Sequence, residues 1–481
     1  MSAVLPLVEE LVPAPDLLET CARFQDLPFL TLLDSAADPE HLGRHSFLTA
    51  APPTAVRSKG LLTQQLVDGQ WIRVAADPLA HIAALLAPHA AEPLVELPPF
   101  QGGAAGYVGY DWGMMLERVP RARYDDLLVP DVQLALYDWV IAWDHPAGRA
   151  WIISTGIPER GAARERRAAS RLAFVQARLA TSRVEGGWAG SDGGTTRLSA
   201  PSYPVPDLPG VRSNFTREGY LDAVARVIEY VYAGDIFQAN LSQRLEAPLV
   251  GTPLDLYRRL RRRNPAPFCA YLDFGDLVVA SSSPERFLRA QPGGLVETRP
   301  IKGTRPRGVS PEHDAALAQA LAESDKDRAE NVMIVDLLRN DLSRVCRAGT
   351  VRVPELFAVE HYATVHHLVS TVVGELAPEH HPTDLVRAAF PGGSITGAPK
   401  VRAMQIIAEL EPTQRAVYCG SVGYLSLTGA LDTSIVIRTC LVLGAQVYAQ
   451  VGGGIVADSD PESEYRETLD KARGVVAALD P

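Results

Sequence analysis

Lysine is scarce in this chain, with five residues (Lys59, Lys302, Lys326, Lys400 and Lys471) among 46 basic ones. Arginine supplies nearly all of the positive charge, so each lysine marks a place to ask what a guanidinium could not do there. A lysine amine can lose its proton and attack carbon, whereas a guanidinium stays charged. Cysteine is scarce as well. Cys21, Cys269, Cys346, Cys419 and Cys440 are odd in number, dispersed and without CxxC spacing, which argues against a disulfide framework and against a zinc site. There is no excess of positive charge. The net charge of −11 argues against nucleic acid and against an anionic membrane as partners. An anionic small molecule stays open, because a metal ion or local cations can invert the sign of one pocket. No apolar run approaches the ~20 residues of a membrane-spanning helix. The start, Met1-Ser2-Ala3-Val4-Leu5-Pro6, lacks the basic and apolar segments of a secretory signal. The expected location is the cytoplasm.

What is present is a globular composition: 481 residues, 47% hydrophobic and 21% charged. That length suits one large or two to three ordinary domains. Residues 184–213, rich in Gly, Ser, Thr and Pro, read as a linker or long surface loop, and the Arg- and Ala-rich stretch 159–183 before them as a surface helix. The expected division is an N-terminal region 1–183, the linker 184–213 and a C-terminal region 214–481. Short apolar runs at 29–33 and 151–153 give the first region an α+β character. In the second, Tyr220, Val224, Val227, Ile228 and Val231 form one stripe of a helix over 216–234. Strands are expected at 277–281, 295–298, 433–439 and 446–451. Helices are expected at 326–340 and 461–478, the latter with Asp460 as N-cap and Pro461 at N1.

Chemistry gathers in the second region. On the last helix Glu464, Glu467 and Lys471 fall at i, i+3 and i+7 and share one face. Two carboxylates so spaced can hold a hard divalent cation, and the lysine one turn on can meet an anion that the cation binds. An ordinary solvated face has the same spacing. Upstream, Gly452, Gly453 and Gly454 stand between a strand and that helix and can offer several N–H groups to an anion; a flexible turn is the plainer reading. Glu330 lies early in a strongly apolar helix. The segment 391–400 (PGGSITGAPK) spaces Gly392 and Gly397 like a phosphate loop but has Ala398 where lysine is needed, so nucleoside triphosphate binding is rejected. His361, His366, His367, His380 and His381 lack metal-ligand spacing and read as loop or packing residues.

Taken together these segments resemble the chorismate-utilising enzymes over nearly all of 214–478. The resemblance rests on Gly234-Asp235-Ile236-Phe237-Gln238-Ala239-Asn240-Leu241-Ser242, Ser283-Pro284-Glu285-Arg286-Phe287, Glu297 to Arg307, Glu330 to Asp341, His367-Leu368-Val369-Ser370, Pro391 to Lys400, Tyr418-Cys419-Gly420-Ser421 and Gly452 to Lys471. The first region is similar to the amino-group transferring branch, with Leu32-Leu33-Asp34-Ser35, Gly43-Arg44-His45-Ser46-Phe47 and Phe100-Gln101-Gly102-Gly103. The resemblance implies an α/β (α+β) fold in which two large antiparallel sheets form a sandwich core flanked by helices, the two regions packing as one body.

The resemblance also implies a reaction. Water-using members have a lysine base where this chain has Gln238, so water is not the expected nucleophile. Members reading Pro-Ile-Ala-Gly-Thr make anthranilate; members reading Pro-Ile-Lys-Gly-Thr, as here around Lys302, make 4-amino-4-deoxychorismate, the precursor of p-aminobenzoate and folate. By resemblance Glu330, Glu464 and Glu467 hold Mg²⁺. Tyr418, Arg438, Gly452, Gly453, Gly454 and Lys471 hold the carboxylates of chorismate, and Gly303 and Thr304 line the pocket. Lys302 adds to C2, Glu285 protonates the departing C4 oxygen and His367 orients or polarises the reacting region. Ammonia is expected from a separate glutaminase subunit, since none of the five cysteines lies on a Gly-x-Cys-x-Gly elbow. Tryptophan is a second expected ligand, at Ser35, Arg44, Ser46, Pro267, Phe268 and Cys269. Two rival readings remain, an anthranilate-forming enzyme and a non-catalytic tryptophan-binding protein of the same fold.

Overall fold

A computed structural model describes residues 5–38, 41–181, 200–206, 208–362 and 365–479. The segment 184–213 falls largely outside them. Its described part ends in two short strands, Tyr203–Pro204 and Arg212–Ser213, paired with one another.

Two large antiparallel sheets dominate the described residues. The first runs in the order Leu7–Leu11, Arg149–Ser154, Trp139–Asp144, His45–Thr49, Leu30–Asp34, Phe268–Asp273, Val278–Ser283, Thr439–Leu443, Gln446–Ile455, Gln238–Pro248. The second runs Ile301–Pro306, Val365–Glu375, Leu295–Thr298, Arg286–Ala290, Leu431–Ile435, Ser421–Ser426, Gly103–Val108, Val132–Tyr137, Thr54–Lys59. Strands from before and after the linker share both sheets: Leu30–Asp34 pairs with Phe268–Asp273, and Gly103–Val108 with Ser421–Ser426. The alternating apolar faces meet between the sheets, where Phe47, Val140 and Ile153 pack with Ala105, Tyr137 and Tyr424.

Helices cover the outer faces. Arg217–Tyr232 starts on Thr216, whose Oγ1 accepts from Gly219 N at 2.9 Å, and buries Tyr220, Val224 and Val227 of the predicted stripe. With Lys400–Leu410 it packs against Ala239, Leu241 and Ile455 of the first sheet. Pro461–Leu479 starts beside Asp460, whose Oδ1 accepts from Ser463 N at 2.9 Å. Asp325–Ser343 packs Ile334, Val335 and Leu338 into the core beneath the second sheet. None of the helices is long and apolar enough to cross a membrane among the described residues.

Two sequence expectations are corrected. The run 433–439 is not one strand: Leu431–Ile435 belongs to the second sheet and Thr439–Leu443 to the first. Its β-branched residues suit a strand, but Arg438 at φ 52° turns the chain across the sandwich. The glycines 452–454 are not a turn. They continue the strand Gln446–Ile455, opposite Ser242, Leu241 and Asn240. A Cβ on Gly452 would lie 2.4 Å from Leu241 O, so the absence of a side chain lets the two strands close up.

Candidate active site

The site forms where the glycine end of Gln446–Ile455, the strand Ile301–Pro306 and the helices Asp325–Ser343 and Pro461–Leu479 converge. Gly453 and Gly454 mark its floor. A Cβ on Gly453 would sit 3.2 Å from Glu464 Oε2, 3.4 Å from Glu467 Oε1 and 3.7 Å from Lys471 Nζ. A Cβ on Gly454 would meet Gln238 Nε2 and, at 3.1 Å, Glu330 Oε1. The predicted carboxylates therefore line one short stretch of backbone, although 134 positions of sequence separate Glu330 from Glu464.

Lys302 Nζ donates to Glu330 Oε1 at 2.8 Å and to Ser394 O at 3.1 Å, with its side chain 11% exposed. Gln238 Nε2 donates to the same Glu330 oxygen at 2.6 Å. Burial alone would raise the Glu330 carboxyl, but the Lys302 charge and hydrogen bond, with Gln238 and Lys326, hold it below the usual carboxylate range. Across the glycines, burial pushes Glu464 up against a hydrogen bond from Ser459, and the Glu467 charge adds to the rise. Lys471 Nζ lies 2.6 Å from Glu467 Oε1 and donates to Gly452 O at 3.1 Å. Three of the five lysines thus face these three glutamates.

Glu285 is 6% exposed, between the strands Val278–Ser283 and Arg286–Ala290. Burial pushes its carboxyl up to about 7, against hydrogen bonds from Ser394 and the Ile301 N–H and the Lys302 charge. A carboxyl in that range is protonated in a substantial fraction of molecules at neutral pH, which lets it serve as a general acid. His367 pairs in register with Thr304, whose Oγ1 is 2.9 Å from His367 Nδ1. Burial, with the Arg438 and His366 charges, pushes that imidazole down to about 4, so it is neutral at neutral pH. Burial also lowers Arg438, and only the Tyr418 charge opposes it. No carboxylate pairs with the Arg438 guanidinium among the described residues, so this half-buried cation is available to an anion.

The structure thus gathers Lys302, Glu285, Glu330, Glu464, Glu467, Lys471 and the glycines, with Thr304, His367, Arg438 and Tyr418 on the adjoining wall. Gly303, at φ 85°, faces away from them: a Cβ there would lie 2.8 Å from Leu321 Cδ1 and 2.9 Å from Asp327 Cγ. No group of three His, Cys, Asp or Glu residues is closed tightly enough to grip a metal among the described residues. The donor set nonetheless fits a hard divalent cation. It consists of carboxylate oxygens, that of Glu464 raised chiefly by burial and further by the Glu467 charge, beside the buried Gln238 Oε1, which lacks a hydrogen-bond partner. Sequence reasoning used Gln238 only to exclude a base and overlooked Ser394, which lies in the segment 391–400 considered as a phosphate loop.

A second cavity of about 300 Å³ lies between the sheets, lined by Ser35, Arg44, Pro267, Phe268 and Cys269. Ser46 stands behind it, its Oγ accepting from Ser35 N at 3.0 Å and lying 2.7 Å from His145 Nε2. Arg44 pairs with Asp144 at 2.8 Å. Asp34 pairs with Arg261 at 2.5 Å and accepts from Tyr257 OH at 2.6 Å. Burial pushes the Cys269 thiol up to about 12, leaving an apolar wall.

Residues 45–477 match the profile of the chorismate binding enzyme family. The chain is 42% identical over 456 residues to the aminodeoxychorismate synthase component 1 of Klebsiella aerogenes, with 94% of each chain covered. It is 44% identical over 394 residues to the anthranilate synthase component 1 of Thermus thermophilus, covering 80% of this chain and 79% of that one. Among solved structures, the anthranilate synthase component I of Streptococcus pneumoniae superposes with a TM-score of 0.75 at 33% identity, covering 90% and 92% of the two chains. The menaquinone-specific isochorismate synthase of Escherichia coli superposes with a TM-score of 0.70 at 19% identity, covering 100% and 97%, a likeness of fold.

Proposed function

The chain belongs to the chorismate-binding enzyme family, and from that premise we propose that it makes 4-amino-4-deoxychorismate from chorismate and ammonia through a covalent adduct on Lys302. It is a chorismate-utilising enzyme; the product is the proposal. Identity alone does not choose, since the aminodeoxychorismate-forming and anthranilate-forming relatives stand at 42% and 44%. The observation that carries the choice is Lys302 itself, a part-buried amine near Glu285, whose carboxyl burial raises to about 7, and at the position where anthranilate-forming members read alanine.

Once its ammonium has released a proton to solvent, Lys302 attacks C2 as the neutral amine. The ring double bonds shift, and the C4–O bond breaks as Glu285 gives its proton to the departing oxygen, which leaves as water. Ammonia then attacks C4, the double bonds shift back, and the C2–N bond breaks to free the lysine. Two such displacements replace one difficult direct substitution. Neutral His367 and Thr304 orient the ring, while Arg438, Tyr418 and Lys471 face the substrate carboxylates. Glu330, Glu464 and Glu467 would hold Mg²⁺, which would supply positive charge for the ring carboxylate. Ammonia reaches the site from a separate glutaminase subunit, with free ammonium as its substitute. With ammonium and Mg²⁺, chorismate is expected to disappear without release of pyruvate. Fluorescent anthranilate and pyruvate as the products would return the rival reading.

The metal assignment has its own test. Glu467→Gln is expected to weaken Mg²⁺ binding at least about tenfold in a calorimetric titration, because an amide lacks the charge a hard cation needs. Stability is expected to stay within ~0.5 kcal/mol, since the residue is exposed. Unchanged Mg²⁺ affinity would return this helix face to ordinary solvated ion pairs.

The second cavity is proposed to take tryptophan, with Ser35 and Arg44 toward the amino-acid head group and Pro267, Phe268 and Cys269 toward the indole; Ser46 braces Ser35 from behind. Ligand-stripped protein is expected to melt higher in millimolar tryptophan, as any ligand of the folded state requires, with little loss of activity. No heat of binding and no rise in melting temperature would remove the site.

A further inference from the structure

The strand Gln238–Pro248 has one edge fully paired, residues 239–248 running opposite 446–455 of the glycine strand. Its other edge is covered in pieces. Gly397–Ala398 meets residues 238–239, Arg212–Ser213 meets 245–246, and Asn214 serves the N–H and carbonyl of Arg244. Among the described residues no strand lies opposite Asn240 O and Ser242 N on that edge. Buried main-chain groups need partners, and here a side-chain ion pair supplies them. Glu411 Oε1 accepts from Ser242 N at 2.9 Å, and Arg415 Nη2 donates to Asn240 O at 2.6 Å. The two side chains, each 1% exposed, are joined by two bonds, Arg415 Nε to Glu411 Oε2 at 2.9 Å and Nη2 to Oε1 at 2.7 Å.

An ion pair so deeply buried adds little stability that an apolar pair of the same volume would not, since both charges must shed water. What a guanidinium adds is a rigid fork of donors. The third nitrogen, Nη1, donates to Ile395 O at 3.1 Å. Ile395 ends the turn Gly393–Ile395 and follows Ser394, whose main-chain oxygen accepts from Lys302 Nζ at 3.1 Å. One fork thus ties the strand that bears Gln238 to the turn that receives the lysine. Its guanidinium carbon also lies 5.7 Å from the ring centroid of Tyr418.

We infer that Arg415, aimed by Glu411, is a positioning residue for the nucleophile, its fork setting the turn Gly393–Ile395 against the strand so that Lys302 meets the substrate ring. This rests on the proposed lysine reaction. The strand has a ladder of its own on the far edge, whereas the turn depends on such side contacts. Loss of the fork should therefore disturb the attack and spare the glycine floor.

Two variants separate the fork from the burial of charge. Arg415→Lys keeps a cation against Glu411, but one ammonium cannot span both carbonyls and keep both bonds to the carboxylate. Glu411→Gln combined with Arg415→Met removes both charges together, which leaves no orphaned buried charge, and residue 411 keeps an oxygen for Ser242 N. Single-turnover chorismate consumption with ammonium is read well below each variant's melting temperature. Both variants are expected to lower the rate on the order of 10- to 100-fold, the scale of a ~1 Å misplacement. The steady-state chorismate KM and the Mg²⁺ affinity are expected to stay near wild type, because the ladder of 239–248 with 446–455 still holds the glycines. A merely structural pair would lower the melting temperature and leave the rate of the folded enzyme unchanged. That result, or KM and Mg²⁺ affinity lost in step with the rate, overturns the inference. Wild-type protein that forms no aminodeoxychorismate would instead overturn the reaction on which it rests.

Discussion

Replacing Lys302 by alanine is expected to slow aminodeoxychorismate formation by ~10³-fold or more, about 4 kcal/mol of barrier, while chorismate and Mg²⁺ still bind. The loss follows from chemistry rather than folding. Lys302 lies on the edge strand Ile301–Pro306, and its amine meets Glu330 and a main-chain oxygen rather than the core. Its removal takes a competing cation from Glu330, so Mg²⁺ affinity is expected to hold or rise, as calorimetry would report. Alanine also recreates the sequence of the anthranilate-forming members, so some anthranilate is expected among the products. Aminodeoxychorismate formed at the wild-type rate by the alanine variant would remove the covalent lysine.

Glu285→Gln is the second large effect, expected to lower the rate on the order of 10²–10⁴-fold. The amide fills the same volume, and the main-chain oxygen of residue 285 still accepts from Ile435 N at 3.0 Å, so the fold is expected to persist. The pH dependence is the sharper readout. Burial pushes the Glu285 carboxyl up to about 7, so the proton needed by the leaving oxygen is present below that pH and is lost as pH rises through it. The wild-type rate is expected to fall on this alkaline limb, and the glutamine variant, which has no such proton, to lack the limb. An alkaline limb that survives in Glu285→Gln would assign the acid to another group.

These expectations began in the sequence because local signals there were strong. Asp460 announced a helix start that the backbone keeps, the apolar stripe from Tyr220 to Val231 marked the helix Arg217–Tyr232, and the 3.6-residue period placed Glu464, Glu467 and Lys471 on one face. The glycines 452–454 misled because a residue without a side chain carries no strand pattern, and their pairing partners, Ser242 to Asn240, lie some 200 positions earlier. The crossing at Arg438 was hidden for a similar reason: a left-handed residue that is not glycine leaves no mark in an otherwise β-branched run. Glu330 was noted on its apolar helix, but its role and that of Glu285 came through family likeness, since nothing local ties either to Lys302. Ser394 was legible by neither route, because it meets the lysine through a main-chain oxygen that every residue possesses.

The central claim is that ammonia replaces the C4 oxygen of chorismate and the rest of the substrate is kept. Purified protein with chorismate, Mg²⁺ and ¹⁵N-labelled ammonium, followed by mass measurement of the product, tests this most directly. The account predicts one labelled nitrogen at C4 in place of the hydroxyl, with the enolpyruvyl side chain retained. A labelled aromatic amine that has lost the side chain, or chorismate recovered unchanged, would contradict it.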